Sequence, residues 1–327
     1  MTKVGIVSLG RYLPEKKMTN ADLEKIVETT DEWIISRTGI RERRIAAPDE
    51  KTSDLAIKAA FDALKNSPVK AEDIEAVFVA TVTPDSNFPS VACLVQKAIG
   101  AKGAFAYDIS AACSGFLYAL TTAKQFIASG MVKNALVIAA DRFTTIIDWK
   151  DRNTCVLFGD GAGAAVLAPV AHGGILSEVM ISDGEGACLM GVTAGRIRTP
   201  KDASIDTGAL PSVYMNGQEL FKHAVPGMAE AVGLAATKAG LALEDIACIV
   251  PHQANDRIIA SVAKRAGVDK EKFFINIDKY GNISAASVVV ALCEAVEQGR
   301  IKKGDNVGLV VFGAGLVAAA NIVEWSY

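Results

Sequence analysis

The sequence predicts a layered α/β fold built from two similar halves, residues 1–171 and 172–327. Two observations predict it. Apolar strand-like runs alternate with amphipathic helical stretches, a pattern that implies largely parallel sheets covered by helices. The motifs of the first half also return in the second at similar offsets, which implies a pseudo-twofold arrangement. "AEDIEAVFVATV" (71–82) is echoed by "LEDIACIVPHQ" (243–253), "DISAAC" (108–113) by "NISAAS" (282–287), and "FGDGAGAAVLA" (158–168) by "FGAGLVAAANI" (312–322). The first half carries an extra segment near "RFTTIIDWKDRNT" (142–154).

The elements follow in chain order. The apolar run of "MTKVGIVSLGRYL" is broken by Gly5 and Gly10 and stopped by Arg11. It is too short and glycine-rich for a secretion signal and is expected as the first strand. "GAFAYDI" predicts a buried strand, and "SGFLYALTTAKQFIA" predicts the helix after it, with Phe116, Leu120, Ala123 and Ile127 on one face. Helices ending at Gly130 and Gly299 each precede a strand, "ALVIAA" or "VGLVVF". The glycines of "FGDGAGAAV" are followed by strand-like "AAVLAPV" rather than by an amphipathic helix. That argues against a dinucleotide-binding loop and for close backbone packing, with amides turned toward a site. Residues 184–212 lack periodicity and are expected to cover the site. The uncharged "NVGLVVFGAGLVAAANIV" has three glycines and many β-branched residues, and predicts two buried strands around a tight turn, not a membrane span.

Half of the 327 residues are hydrophobic, enough for a large core, and the net charge of −3 gives no global pull toward nucleic acid or anionic membrane. The six cysteines are dispersed, with no CxxC pair and no metal-ligand spacing. A reducing cytoplasm is the expected location, with no metal.

Cys113 lies where a strand gives way to a helix. Two readings stand: a small buried hydrophobe, or a nucleophile at a helix N-terminus. A free thiol, pKa about 8.5, is only a few per cent ionised at neutral pH. Lowering that to about 7, roughly 2 kcal/mol, would ionise half of it, and helix N-termini lower cysteine pKa by such amounts. Of three histidines, His172 sits in a turn and His223 on a helix, while His252 follows an apolar strand ending at Pro251, before a helix capped by Asn255. Asn282, in "YGNISAAS", is either a turn with a cap or the second-half counterpart of the Cys113 elbow. Cys113, His252 and Asn282 all fall in loops after expected strands, where ligands of α/β sheets bind. In "DEWIISRTGIRERRI", composition favours a solvated charged face, although Trp33 beside arginines can also stack a purine.

Taken together, "TNADLEKIVETTDEWIISRTGIRERRIA", "AACSGF", "FGDGAGAAV", "VPHQANDRII" and "GNISAASV" resemble the β-ketoacyl-(acyl carrier protein) synthase III family over nearly the whole chain. The resemblance implies a thiolase-like fold, with duplicated βαβαβαββ halves in five αβαβα layers, and a homodimer. It implies a Cys113–His252–Asn282 triad and coenzyme A contacts at Trp33, Arg37 and Arg152. It further implies an acyl pocket closed by Phe88 across the dimer, and an oxyanion hole that includes the Ala314 amide. Lys222, Arg257, Lys264 and Arg265 would meet the acyl carrier protein. The implied reaction is decarboxylative condensation of a short acyl-CoA, acetyl-CoA first among them, with malonyl-acyl carrier protein. Its products are 3-oxoacyl-acyl carrier protein, CoA and CO₂, and no cofactor is needed beyond the acyl-CoA substrate. Neither nucleic acid nor membrane is an expected partner. Ile283 where threonine is common, and the altered C-terminal glycine motif, bear on acyl specificity and rate.

Other readings remain beside it. A condensing-type acyltransferase of secondary metabolism would use a different donor or acceptor. A cysteine hydrolase shares the Cys…His…Asn order, but "AACSGF" lacks the papain-like context. A thiolase would want a second cysteine in "FGAGL", and an elongating synthase a second histidine in place of Asn282. A degenerate carrier-protein-binding scaffold would have no reason to retain all three polar residues.

Overall fold

The computed structural model describes residues 2–192 and 212–327. Its strands are β1 (Val4–Tyr12), β2 (Lys16–Thr19), β3 (Glu42–Ile45), β4 (Ala76–Ala80), β5 (Phe105–Ile109), β6 (Ala135–Arg142), β7 (Asp160–Pro169), β8 (Gly174–Ser182), β9 (Met190–Val192), β10 (Val213–Met215), β11 (Cys248–Pro251), β12 (Asn306–Gly313) and β13 (Val317–Glu324). Its helices are α1 (Asn20–Leu23), α2 (Asp31–Thr38), α3 (Thr52–Lys65), α4 (Val91–Ile99), α5 (Gly115–Ala128), α6 (Arg152–Cys155), α7 (Gly217–Lys238), α8 (Asp256–Ala266), α9 (Ile277–Tyr280) and α10 (Ala286–Glu297).

The internal repeat becomes a repeat of sheet order. One sheet runs β1-β7-β6-β4-β5 and the other β8-β13-β12-β11, so β7 matches β13, β6 matches β12 and β4 matches β11. In each, the strand from the "EDI" motif pairs in parallel with the strand after the buried helix, β4 with β6 and β11 with β12. A short 3₁₀ turn, Ala71–Asp73 or Leu243–Asp245, precedes each "EDI" strand.

The layers follow from which faces are apolar. α5 and α10 are buried along most of their length, because both sheets pack on them. α3 and α4 cover the outer face of the first sheet, and α7 and α8 that of the second. The result is the five-layered αβαβα arrangement, α3/α4 outermost on one side and α7/α8 on the other. A fourth apolar cluster gathers Leu23, Ile34, Phe143 and Phe158, so the extra 142–154 segment builds a lobe with α1 and α2.

Close packing explains two glycines of "FGDGAGAAV". A Cβ on Gly163 would meet Val289 of α10 at 2.4 Å, and one on Gly159 would meet the Tyr280 carbonyl oxygen at 2.9 Å. The Gly159 N–H does not face a site as expected; it donates to the Asn282 carbonyl at 3.1 Å. The uncharged C-terminal stretch is the expected pair of strands: β12 and β13 pair antiparallel from Asn306↔Glu324 to Gly313↔Val317. Among the described residues no helix is long and apolar enough to cross a membrane.

Candidate active site

Cys113 sits in a 3₁₀ turn, Ala112–Ser114, between β5 and α5. The turn is tight enough to put Ala112 at φ 46°. Behind it lies the end of β12: a Cβ on Gly313 would come within 2.9 Å of the Cys113 nitrogen, so only glycine allows this approach. The neighbouring Ala314 therefore stands beside the Cys113 backbone.

His252 follows β11, and its N–H donates to the Val310 carbonyl at 2.8 Å, which ties the loop to β12. Gln253, buried next to it, locks the same loop. Its Nε2 donates to the carbonyls of Pro251 (2.9 Å) and Phe274 (3.1 Å), and its Oε1 accepts from the Asn276 N–H at 3.0 Å. Asn255 caps α8 by accepting from the Arg257 N–H, as its sequence position predicts.

Asn282 departs from expectation. It follows the four-residue helix α9, not a strand. The stretch that matches β5 in the second half pairs with β11 only as an isolated bridge, Ile249↔Phe273. Asn282 is held instead from three sides. Its N–H donates to the Leu157 carbonyl at 2.9 Å, its carbonyl accepts from Gly159, and its side-chain Oδ1 accepts from the Ser284 N–H at 2.9 Å. The last bond occupies the acceptor end of the amide and leaves the Nδ2 donors free for the cavity.

These three side chains meet in one cavity of ≈ 140 Å³, with Gly313 and Ala314 on its wall. Apart from Asn255 the remaining wall is apolar, with Met215, Leu220, Phe221, Met228 and Phe312 among its side chains. An outer cleft of ≈ 640 Å³ carries Trp33, Arg37, Lys222 and Arg257. Leu157, Met215, Phe221 and Asn255 line both, so the cleft leads into the cavity. Trp33 is flanked by two cations: the Arg37 guanidinium lies 5.0 Å and that of Arg152 4.7 Å from its ring centroid. The expected solvated charged face is thus only partly so. Arg43 is wholly buried, donating to the carbonyls of Met18 and Val156 and to Asn20 Oδ1.

Electrostatics overturn one expectation. The helix N-terminus was to lower the Cys113 thiol, but burial pushes it up to about 12, with the Asp141 charge adding to the rise. Ser284 and the residue's own backbone pull it back only in part. With 5 % of the residue exposed, the lost hydration outweighs the dipole. Burial also takes His252 down to about 4, so its imidazole is neutral at pH 7, and its Nδ1 is buried without a partner.

Other expected residues are dispersed. Lys264 and Arg265 occupy the exposed last turn of α8, and Lys222 is exposed on α7, paired with Glu219 at 2.7 Å. Phe88 is 84 % exposed and lines neither space. Ile283 points into the core against Gly161 rather than into the cavity, so its bearing on acyl specificity is indirect. Of the expected cover, residues 184–189 form a 3₁₀ stretch packed on Leu316, and Met190 and Met215 reach the cavity; residues 193–211 lie outside the described residues. The sequence reading missed the buried pair Ser284 and Asp141 behind Cys113. Ser284 was visible inside the "NISAAS" echo, but nothing in the sequence separated it from a helix-start serine.

Comparison with known proteins adds the following. Residues 107–184 match the family profile 3-oxoacyl-(acyl-carrier-protein (ACP)) synthase III, and residues 236–325 match its C-terminal profile. The chain is 52 % identical over 323 residues, 98 % of each chain, to the beta-ketoacyl-(acyl-carrier-protein) synthase III of Caldanaerobacter subterraneus subsp. tengcongensis. Its fold is similar to the crystal structure of the corresponding Thermus thermophilus synthase III, with TM-score 0.92 and 49 % identity over 98 % of this chain and 99 % of that one. It is also similar to the priming β-ketosynthase of the R1128 polyketide biosynthetic pathway, with TM-score 0.93 and 34 % identity over 99 % and 97 %.

Proposed function

Since this chain belongs to the 3-oxoacyl-(acyl-carrier-protein) synthase III family, we propose that Cys113, His252 and Asn282 carry its condensation of a short acyl-CoA with malonyl-acyl carrier protein. The enzyme is an acyltransferase whose reaction starts fatty acid synthesis. The observation that carries the residue assignment is the single cavity shared by a thiol, a neutral imidazole and an oriented carboxamide, reached through the Trp33 cleft.

In the first half-reaction the Cys113 sulfur attacks the acyl-CoA thioester. The amides of Cys113 and Ala314 receive the developing oxyanion; losing one such donor typically costs about 10²–10³ in rate. The C–S bond to coenzyme A breaks, and the proton that leaves Cys113 ends on the coenzyme A thiolate. The acyl group stays on Cys113, a ping-pong scheme. Malonyl-acyl carrier protein then enters by the same route. His252 and the Asn282 Nδ2 donate to its thioester oxygen while CO₂ leaves, and the enolate carbon attacks the acyl-Cys113 carbonyl. The Cys113 C–S bond then breaks, 3-oxoacyl-acyl carrier protein is released, and the Cys113 thiolate takes up a proton from solvent. Loss of CO₂ generates the carbon nucleophile, so the chemistry calls for no resident cofactor.

Trp33 takes the adenine, with Arg37 and Arg152 beside its phosphates. The basic set Lys222, Arg257, Lys264 and Arg265 receives the carrier protein. A homodimer brings Phe88 of the second copy to the acyl end of the cavity; its 84 % exposure in one chain and the exposed Tyr107 on edge strand β5 support this. The six free cysteines support a reducing cytoplasm. Residues 1–171 supply the nucleophile and 172–327 the histidine and asparagine.

The test is a mass measurement after incubation with acetyl-CoA, followed by malonyl-acyl carrier protein. The proposal expects a stable acetyl adduct on Cys113, then 3-oxobutyryl-acyl carrier protein and CO₂. Peptide or CoA-ester hydrolysis without an adduct would establish the hydrolase reading instead. The likeness to a polyketide priming synthase supports a second reading, in which the donor or acceptor belongs to secondary metabolism; a panel of acyl-CoAs separates the two.

A further inference from the structure

The wall behind Cys113 holds a residue that the reaction above leaves unused. Ser284 is completely buried and adopts φ 54°, a backbone region that non-glycine side chains rarely enter. Its N–H orients Asn282 at 2.9 Å. A glycine would keep that N–H and relieve the strain, so the hydroxyl has to be explained separately.

The hydroxyl faces the Cys113 thiol and the Asp141 carboxyl and favours the charged form of each. It closes a well-formed bond to neither: Ser284 Oγ and Asp141 Oδ2 are both buried without a partner. Asp141 is otherwise saturated. Its Oδ1 accepts from Thr81 Oγ1 (3.0 Å), the Val82 N–H (2.8 Å), the Thr83 N–H (3.1 Å) and Thr83 Oγ1 (2.8 Å). The start of α5 and the cap of α10 are in contact here, since a Cβ on Gly115 would lie 3.5 Å from Ala285 Cβ. An unsatisfied hydroxyl in such a place is a cost that a purely structural serine would not carry.

We propose that Ser284 is a positioning residue for the nucleophile: its O–H rests toward Asp141 Oδ2 and turns to Cys113 Sγ as that sulfur takes on negative charge. No proton is transferred by Ser284; only the direction of one hydrogen bond changes, and the thiol proton still leaves with coenzyme A. The titratable groups that bear on Cys113 are Asp141, from the end of β6, and His252, from the loop after β11. Asp141, whose own carboxyl burial pushes up, opposes charge on the sulfur when ionised, and Ser284 favours it.

The inference rests on Cys113 being the acylated nucleophile, which acetylation of the unmodified enzyme tests separately. The experiment measures the second-order rate of Cys113 alkylation by iodoacetamide between pH 7 and 9, a readout that needs no acyl donor. Ser284→Gly, which keeps the Asn282 bond and removes the strain, is expected to slow alkylation about tenfold or more at each pH, the loss of a hydrogen bond to a charged group. Ser284→Ala should do the same. Asp141→Asn, which keeps the shape and sets an amide donor in place of Oδ2 against the Ser284 oxygen, so that the Ser284 O–H is left for the sulfur, is expected to speed it. Acetylation by acetyl-CoA should follow the alkylation rates, while CO₂ release from malonyl-acyl carrier protein on pre-acylated enzyme should change little in Ser284→Gly. Unchanged alkylation in both serine variants, or changes of the same sign in Ser284→Gly and Asp141→Asn, would overturn the proposal.

Discussion

The Ser284 N–H donates to Asn282 Oδ1 at 2.9 Å, so the Asn282 side chain offers the cavity donors and not an acceptor. Asn282→Asp keeps an oxygen for Ser284 but replaces the Nδ2 donors with a second carboxylate oxygen. Malonyl decarboxylation is expected to fall by about 10²–10³, the typical loss for one oxyanion donor, while acetylation of Cys113 persists. Labelled CO₂ release and intact-protein mass give the two rates.

Neutral His252 has a different signature. His252→Ala is expected to abolish decarboxylation and to spare much of the acylation of Cys113. Equal loss in both half-reactions would refute the donor role.

The same histidine also makes stability depend on pH. Its pKa is about 4 when folded, against about 6.5 unfolded. Between those values the unfolded chain binds the extra proton, so stability rises with pH there and is lost as pH falls toward 4. Denaturant titrations of the unmodified protein and His252→Ala should differ in that slope and run parallel above pH 7.

Trp33 and its two flanking guanidinia form the proposed nucleotide seat. Trp33→Ala should raise KM for acetyl-CoA by about 5–150-fold, the range for a lost base–aromatic stack, with little change in kcat. Acetyl-pantetheine, which lacks the adenine, should be used equally well by both forms.

At Gly313 the backbone leaves no space. An alanine Cβ would stand 2.9 Å from the Cys113 nitrogen and 3.0 Å from that of Ser114, both backbone atoms that cannot swing aside. Gly313→Ala should destabilise the fold by about 1–3 kcal/mol and cut acylation of Cys113 by more than tenfold. Thermal unfolding and the acetylation rate measure the two effects.

Much of the fold was legible in the chain itself, because duplication writes itself twice. The "EDI" strands, the helices before Gly130 and Gly299, and the glycine motifs recur in the same order, and the two sheets repeat one strand order. Cys113 and His252 were also readable, since each follows a strand whose apolar run ends abruptly. Asn282 was found through its echo of the Cys113 elbow, although its local setting, after α9 and not after a strand, was misread.

What the sequence by itself determined is the order of elements and the identity of the polar residues at their ends, because hydrophobic period and turn chemistry act over a few neighbouring positions. Only the tertiary structure decided how those residues behave. Burial, a property of all layers together, turned the expected easily ionised thiol of Cys113 into a reluctant one and made His252 a weak base. Asp141 and Ser284, separated by 143 positions in the chain, acquire meaning only where the end of β6 and the turn before α10 bring them behind the same sulfur, since hydration and hydrogen-bond partners are settled by what is near in space.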